Sequence, residues 1–267
     1  IKYYSIYPIY RCDALHTMIV KFFKFLANLS PALKRTLWRW WYQIMAKRYQ
    51  LPDWKFMNYG YAELDGTKLD LQGEPENDRY FIQLYHHVAA AVDLNGKKVL
   101  EVGSGRGGGA SYVARVMNPS EMVGLDYSAN AVKFSNKNNA DDNLTFKEGD
   151  AENLPFNDDT FDIVLNVESS HCYGNMQQFV NEVNRVLKPG GYFSWADLRS
   201  AEERARLPNN FNTPAPTTKD GGMINPQVLN TLELSHDRKV KMIDDNVPNF
   251  GQPGVRDVAG VKDSKIY

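Results

Sequence analysis

The chain has 267 residues, 43% of them hydrophobic and 24% charged, enough to bury one large core or two modest ones. Its formal net charge of -1 excludes a general electrostatic attraction to nucleic acid. With only Cys12 and Cys172 present, a disulfide scaffold is excluded, no Cys/His cluster has metal-ligand spacing, and the usage points to a reducing, cytoplasmic setting. Charge is unevenly spread. Residues 1–56 hold ten Lys or Arg against Asp13 and Asp53, whereas residues 141–168 hold nine acids against Lys147. A basic head of this kind fits a solvated helix face or contact with an anionic membrane.

In chain order, residues 1–57 read as helical with breaks at Pro8, Pro31 and Pro52. "MIVKFFKFLANL" (18–29) and "LKRTLWRWWYQIMAKRY" (33–49) mix aromatic residues with bases, as an interfacial helix or an ordinary cap over a pocket does. Neither stretch is long and apolar enough to span a bilayer. Residues 58–78 are polar and turn-rich, a loop or lid. A helix over 79–92 then precedes "KKVLEVG", a short buried strand. From there the pattern alternates. "SYVARVM" predicts a helix, "EMVGLD" a strand, and "SANAVKFSNKNNA" a helix opened by Ser128. "LTFKEGD" and "FDIVLNVES" predict strands; Asn175 caps the helix "MQQFVNEVNRVL", which stops at "KPGG", and "YFSWADL" is a further strand. Alternation of this kind predicts an open α/β parallel sheet covered by helices on both faces. After it, "LPNNFNTPAPTTKDGG" (207–222) forms no element, and one helix is expected within 225–247. The organisation expected is a helical cap and lid over 1–78, a core over 79–200 and a divergent segment over 201–267.

The spaced glycines of "LEVGSGRGGGASY" directly follow the first core strand. In an open sheet, ligands sit beyond the C-terminal strand ends, so Gly103 and Gly105 lie where a nucleoside-containing cofactor binds. Alone, this turn does not separate a dinucleotide from an adenosyl group. Polar strand ends separate them better. Asp126 closes the second strand at the distance expected of a ribose-binding acid, Asp150 closes the third, and Asn166 the fourth. Glu101 stands next to the glycines, where a carboxylate repels a pyrophosphate but attracts a sulfonium and an amino group.

"VLEVGSGRGGGASY", "GLDYSANAV", "GDAENLPFNDDTFDIVLNVESSHCY" and "FVNEVNRVLKPGGYF" together resemble a class I S-adenosylmethionine-dependent methyltransferase with a Rossmann-like sheet. The resemblance is strongest to the phthiotriol/phenolphthiotriol dimycocerosates methyltransferase group, with sterol and tocopherol methyltransferases more distant, and it covers about residues 56–200. It implies S-adenosyl-L-methionine as cofactor. By position, Gly103 and Gly105 would pack beneath its methionine part, Glu101 orient its amino group, and Asp126 clamp the ribose. Tyr127, Asp150 and Ala151 would neighbour the adenine, and Asn166 the methionine carboxylate or amine.

The resemblance also implies a lipophilic small-molecule acceptor bearing a hydroxyl. His171, in "NVESSHCY", is the expected general base, because an unperturbed imidazole titrates near neutrality. Glu168 would orient it or meet the acceptor. Tyr59 and Tyr61 of "FMNYGY", with Cys172 and Tyr173, are the expected pocket walls. His86 and His87 read as packing residues. The sterol relatives methylate an alkene carbon, so C-methylation is the alternative. A non-catalytic cofactor-binding module is another, because the chain departs from the family pattern after "YFSWADL".

Overall fold

A computed structural model describes residues 2–6, 54–200, 202–203, 205, 223–247, 252, 255–256 and 259–261. The basic aromatic stretches at 18–29 and 33–49 and the loop at 207–222 lie outside them. The elements are β1 (Lys2–Ile6), α1 (Arg79–Ala89), β2 (Lys98–Val102), α2 (Gly108–Val116), β3 (Glu121–Asp126) and α3 (Ala129–Asn138). They continue as β4 (Leu144–Glu148), β5 (Phe161–Val167), α4 (Met176–Val186), β6 (Leu187–Leu198), α5 (Asn225–Leu234) and α6 (His236–Asn246). The strands form one sheet in the order β1-β6-β5-β2-β3-β4. Every pairing is parallel.

The helical starts follow their sequence signals. Ser128 Oγ accepts from Ala131 N at 3.3 Å to open α3, and Asn175 Oδ1 accepts from Gln178 N at 3.1 Å to open α4. Central strands are buried on both faces and the edge strand is not. Val99, Leu100, Glu101 and Val102 are all buried, whereas β4 alternates with Leu144 and Phe146 inward. Successive β2 residues feed opposite layers: Val99 joins Ile82, Leu84 and Val88 of α1, and Leu100 joins Phe179 and Val183 of α4.

Three sequence expectations change. Residues 2–6 form an edge strand beside β6, from Lys2↔Ser194 to Ile6↔Leu198, and Trp54–Met57 are not helical. The run KYYSI is rich in residues that suit a pleated edge, and a neighbouring strand decided the outcome. α4 stops at Val186 as KPGG predicts, but KPGG itself belongs to β6, which starts at Leu187, ahead of the strand expected over YFSWADL, and takes up Lys188–Gly191 through a register shift opposite Phe161 and Ile163. The single helix expected over 225–247 is two, α5 and α6, parted at Ser235, whose Oγ donates back to Thr231 O at 2.7 Å.

This topology places the site. The chain runs outward through β2, β3 and β4, then returns to lay β5 on the other side of β2. The crevice at that reversal, beyond the C-terminal ends of β2 and β5, is where an open α/β sheet accepts a ligand.

Candidate active site

A cavity opens at this crevice, and it divides into two ends. One end is walled by the glycine turn and the ends of β3 and β4: Gly103, Gly105, Asp126, Tyr127, Asp150 and Ala151 line it. Gly103 has φ +78° and Gly105 φ +54°, backbone that L side chains rarely adopt. Their roles differ. A Cβ on Gly103 would lie 2.2 Å from Ser169 Oγ, whereas one on Gly105 would meet only Met57 Sδ at 3.8 Å, so that face of the turn is open to an occupant.

Asp126 receives Gly105 N and Ser128 N, each at 2.8 Å, one on each carboxylate oxygen. Further lone pairs on both oxygens remain. Burial pushes its carboxyl up to about 6 against these two amides. Asp150 Oδ1 accepts from Glu152 N at 2.9 Å, shaping the turn that carries Ala151 into the cavity wall. Glu152 Oε1 accepts from Gly174 N at 2.7 Å and Asn175 N at 3.1 Å, tying the β4 end to the start of α4.

Glu101 and Asn166 stand behind this wall. Glu101 is fully buried; Tyr85 OH donates to Oε1 at 2.8 Å, and Oε2 has no hydrogen-bond partner. Burial pushes its carboxyl up to about 8, with Tyr85 opposing and Asp126 reinforcing. Asn166 Nδ2 donates to Val102 O at 2.8 Å and to Ser169 Oγ at 2.7 Å, while Oδ1 has no partner. Together these orphaned acceptors and the open glycine face fit a ligand that brings donors and positive charge, as a sulfonium nucleoside with an amino group does.

The other end is reached through Val167, Glu168, Cys172 and Tyr173. Glu168 sits at φ +48°, a left-handed conformation for a residue with a side chain. Its backbone N donates to Ala196 O at 2.7 Å, and its Oε2 accepts from Tyr59 N at 2.9 Å. Burial pushes its carboxyl up to about 8; the Tyr59 amide, His171 and Lys239 oppose this and Asp197 reinforces it. His171 follows on a short turn, Ser170–Cys172, between the lining residues Ser169 and Cys172, and is not itself part of the cavity wall. Its Nδ1 lies 2.6 Å from Asp197 Oδ1, at the end of β6. Asp197 is fully buried, bonded by Ser170 Oγ and paired with Arg199 Nη2 at 3.1 Å. Burial disfavours the imidazolium, but the Cys172 sulfur and the Asp197 carboxylate outweigh it and hold His171 well above its ordinary value.

A strap, residues 54–62, crosses both ends. Arg106 Nε donates to Trp54 O, and its guanidinium stacks 3.9 Å from the Phe134 ring centroid and 5.2 Å from that of Trp54. Further along, Ala62 N donates to Gln227 O at 3.2 Å, and a Cβ on Gly60 would strike Thr231, so α5 packs onto the strap. Neither tyrosine expected to form a wall lines the cavity, and Tyr59 meets Glu168 only through its amide. Tyr61 lies in the core, its ring stacked 4.3 Å from His87, and does not line the cavity. His86 packs on Tyr112 with a 2.8 Å contact from Nδ1 to the phenol. Sequence reasoning missed three groups: Asp197, a strand acid whose partner is 26 positions away; Arg106, within the glycine turn; and Lys239, buried on α6.

A parallel sheet with this glycine turn, an acid at the end of the next strand and a cavity at the reversal defines a Rossmann-like nucleoside-cofactor protein. A methyltransferase-domain family model matches residues 100–195. Over 237 residues the chain is 38% identical to the phthiotriol/phenolphthiotriol dimycocerosates methyltransferase of Mycobacterium tuberculosis, covering 89% of this chain and 88% of that one. It is 48% identical over 158 residues to a fatty-acid O-methyltransferase of Mycolicibacterium smegmatis, covering 59% and 58%. Among solved structures, a geranyl diphosphate C-methyltransferase from Streptomyces coelicolor shares the fold at TM-score 0.56 and 18% identity, covering 75% of this chain and 86% of that one. The chain belongs to the S-adenosylmethionine-dependent methyltransferase family.

Proposed function

We propose that the enzyme methylates a hydroxyl oxygen on a lipophilic small molecule, with His171 receiving the hydroxyl proton. S-adenosylmethionine supplies an electrophilic methyl group. The relatives named above act, by their names, on dimycocerosate lipids and fatty acids, which supports a lipophilic acceptor here. Glu101 and Asn166 would hold the methionine part of the cofactor, Asp126 the ribose hydroxyls, and Tyr127, Asp150 and Ala151 the adenine. Contact of the N-terminal residues with an anionic membrane belongs to the same proposal and is tested by flotation with anionic vesicles.

The observation that carries the reading is the 2.6 Å contact of His171 Nδ1 with buried Asp197. An acid fixed on Nδ1 keeps the proton there and leaves Nε2 as the basic atom, the logic of a His–Asp pair in acyl transfer. The acid also raises the imidazolium, so the base is competent only above that shifted value, and turnover rises with pH through it. A screen of acceptors with isotopically labelled cofactor, followed by location of the label by mass spectrometry, tests the assignment. Label on carbon overturns it. His171→Ala is expected to retain cofactor binding and lower turnover by about 10²–10⁴-fold.

A further inference from the structure

α1 packs on the sheet as a core helix, with Ile82, Leu84 and Val88 wholly buried, yet one of its residues reaches the cavity. Tyr85 lines the wall between the strap and the glycine turn. Its ring is held from two sides. A Cβ on Gly109, in the first turn of α2, would overlap the ring, so the last glycine of GGG is the niche in which Tyr85 lies. From the strap, the Phe56 ring packs on it at 6.0 Å and 58°.

The ring held in this way carries its hydroxyl to Glu101 Oε1 at 2.8 Å. Glu101 stands behind the wall, and its second oxygen, Oε2, has no hydrogen-bond partner. The phenol therefore fixes which oxygen is engaged and which is left over. It also acts on charge, because a donor to the ionised form of a carboxyl favours that form. Asp126, at the end of β3, works against ionisation of Glu101, as burial does. Burial, with the carboxylates of Glu101, Glu168 and Asp126, keeps the Tyr85 phenol well above its ordinary value, so it remains a donor through the neutral range.

We infer that Tyr85 is a positioning residue for the cofactor: by holding Glu101 Oε1 it sets the orientation and charge of that carboxylate, and through them the preference for a ligand that carries an amino group. The inference rests on the reading of Glu101 as the group that serves the cofactor's amino end. It also accounts for the third consecutive glycine, which touches no ligand and makes room for the residue that steadies the acid.

S-adenosylhomocysteine and its analogue lacking the amino group test this by calorimetry on the full chain, between about pH 6 and pH 9, with no turnover needed. The wild-type protein is expected to prefer S-adenosylhomocysteine at least about 10-fold once Glu101 is ionised, because a site built for a donor discriminates against its absence. Glu101→Gln is expected to remove most of that preference. Tyr85→Phe keeps the ring in its niche and is expected to lower the preference at neutral pH and restore it about one pH unit higher. The double variant is expected to bind S-adenosylhomocysteine no more weakly than Glu101→Gln, because the phenol acts through the acid. A purely structural role for Tyr85 instead weakens both ligands equally at every pH. Equal losses, an unshifted profile in Tyr85→Phe, or additive losses in the double variant each overturn the role of Tyr85 and leave that of Glu101 standing. A wild-type protein that does not distinguish the two ligands, and is indifferent to Glu101→Gln, overturns both.

Discussion

The two ends of the cavity are built by different means. The cofactor end is local: Gly103, Gly105, Asp126 and Asp150 lie at or just beyond the C-terminal ends of β2, β3 and β4, and their carboxylates are fixed by amides at most 21 residues away. The acceptor end and the layer behind it are assembled from distant pieces, with Glu168 meeting Tyr59 across 109 positions and His171 meeting Asp197 across 26. Local turns preserve a binding mode through repeated backbone geometry. Assembly from several elements lets each piece change independently, which suits the part of an enzyme that chooses its substrate.

The largest expected effect lies at the assembled end. Asp197→Asn keeps the shape but no longer holds the proton on Nδ1, and kcat is expected to fall by about 10²–10⁴-fold with cofactor affinity unchanged, measured by steady-state kinetics and calorimetry. An unaltered kcat would remove His171 from proton transfer.

Within the cofactor end, Gly103→Ala and Gly105→Ala separate scaffold from site. The first forces a methyl into Ser169 and is expected to cost about 1–3 kcal/mol by overpacking, beyond its backbone strain, read as a lowered melting temperature. The second meets open space, so its loss is expected mainly in cofactor affinity. Asp126→Ala should follow, weakening cofactor binding by roughly 1.5–3 kcal/mol for each charged hydrogen bond lost.

The smallest effect is a pH dependence. Glu101 is raised to about 8 by burial, so below that pH it is largely neutral and must lose a proton to attract a cation. Affinity for S-adenosylmethionine is therefore expected to rise with pH toward about 8, by up to about tenfold per unit below it. Glu101→Gln should flatten this slope. A slope that persists in the variant would assign it to another group.

The contrast between the two ends also explains what the sequence discloses. β3 runs over Glu121–Asp126, as its apolar pattern predicts, and Ser128 and Asn175 cap the helices assigned to them. These features depend on neighbours in sequence. Lys239 gives no sequence signal of burial, because it sits beside Arg238 and near Lys241 on a helix, yet it is 7% exposed. Tyr61 was misplaced for the converse reason. Two residues from Tyr59, it shares its composition but turns toward His87 and the core. Asp197 looked like any acid closing a strand until the return of the chain put His171 beside it.

The strap has a consequence for both ends at once. Within six residues it is bonded to the glycine turn at Trp54 and to the acceptor-end carboxylate at Tyr59. Its Trp54–Asn58 portion lines the cavity throughout. A segment bonded at both ends in this way ties the two sites together, so a substitution that displaces Trp54 from Arg106 is expected to register in acceptor affinity as well as in cofactor affinity.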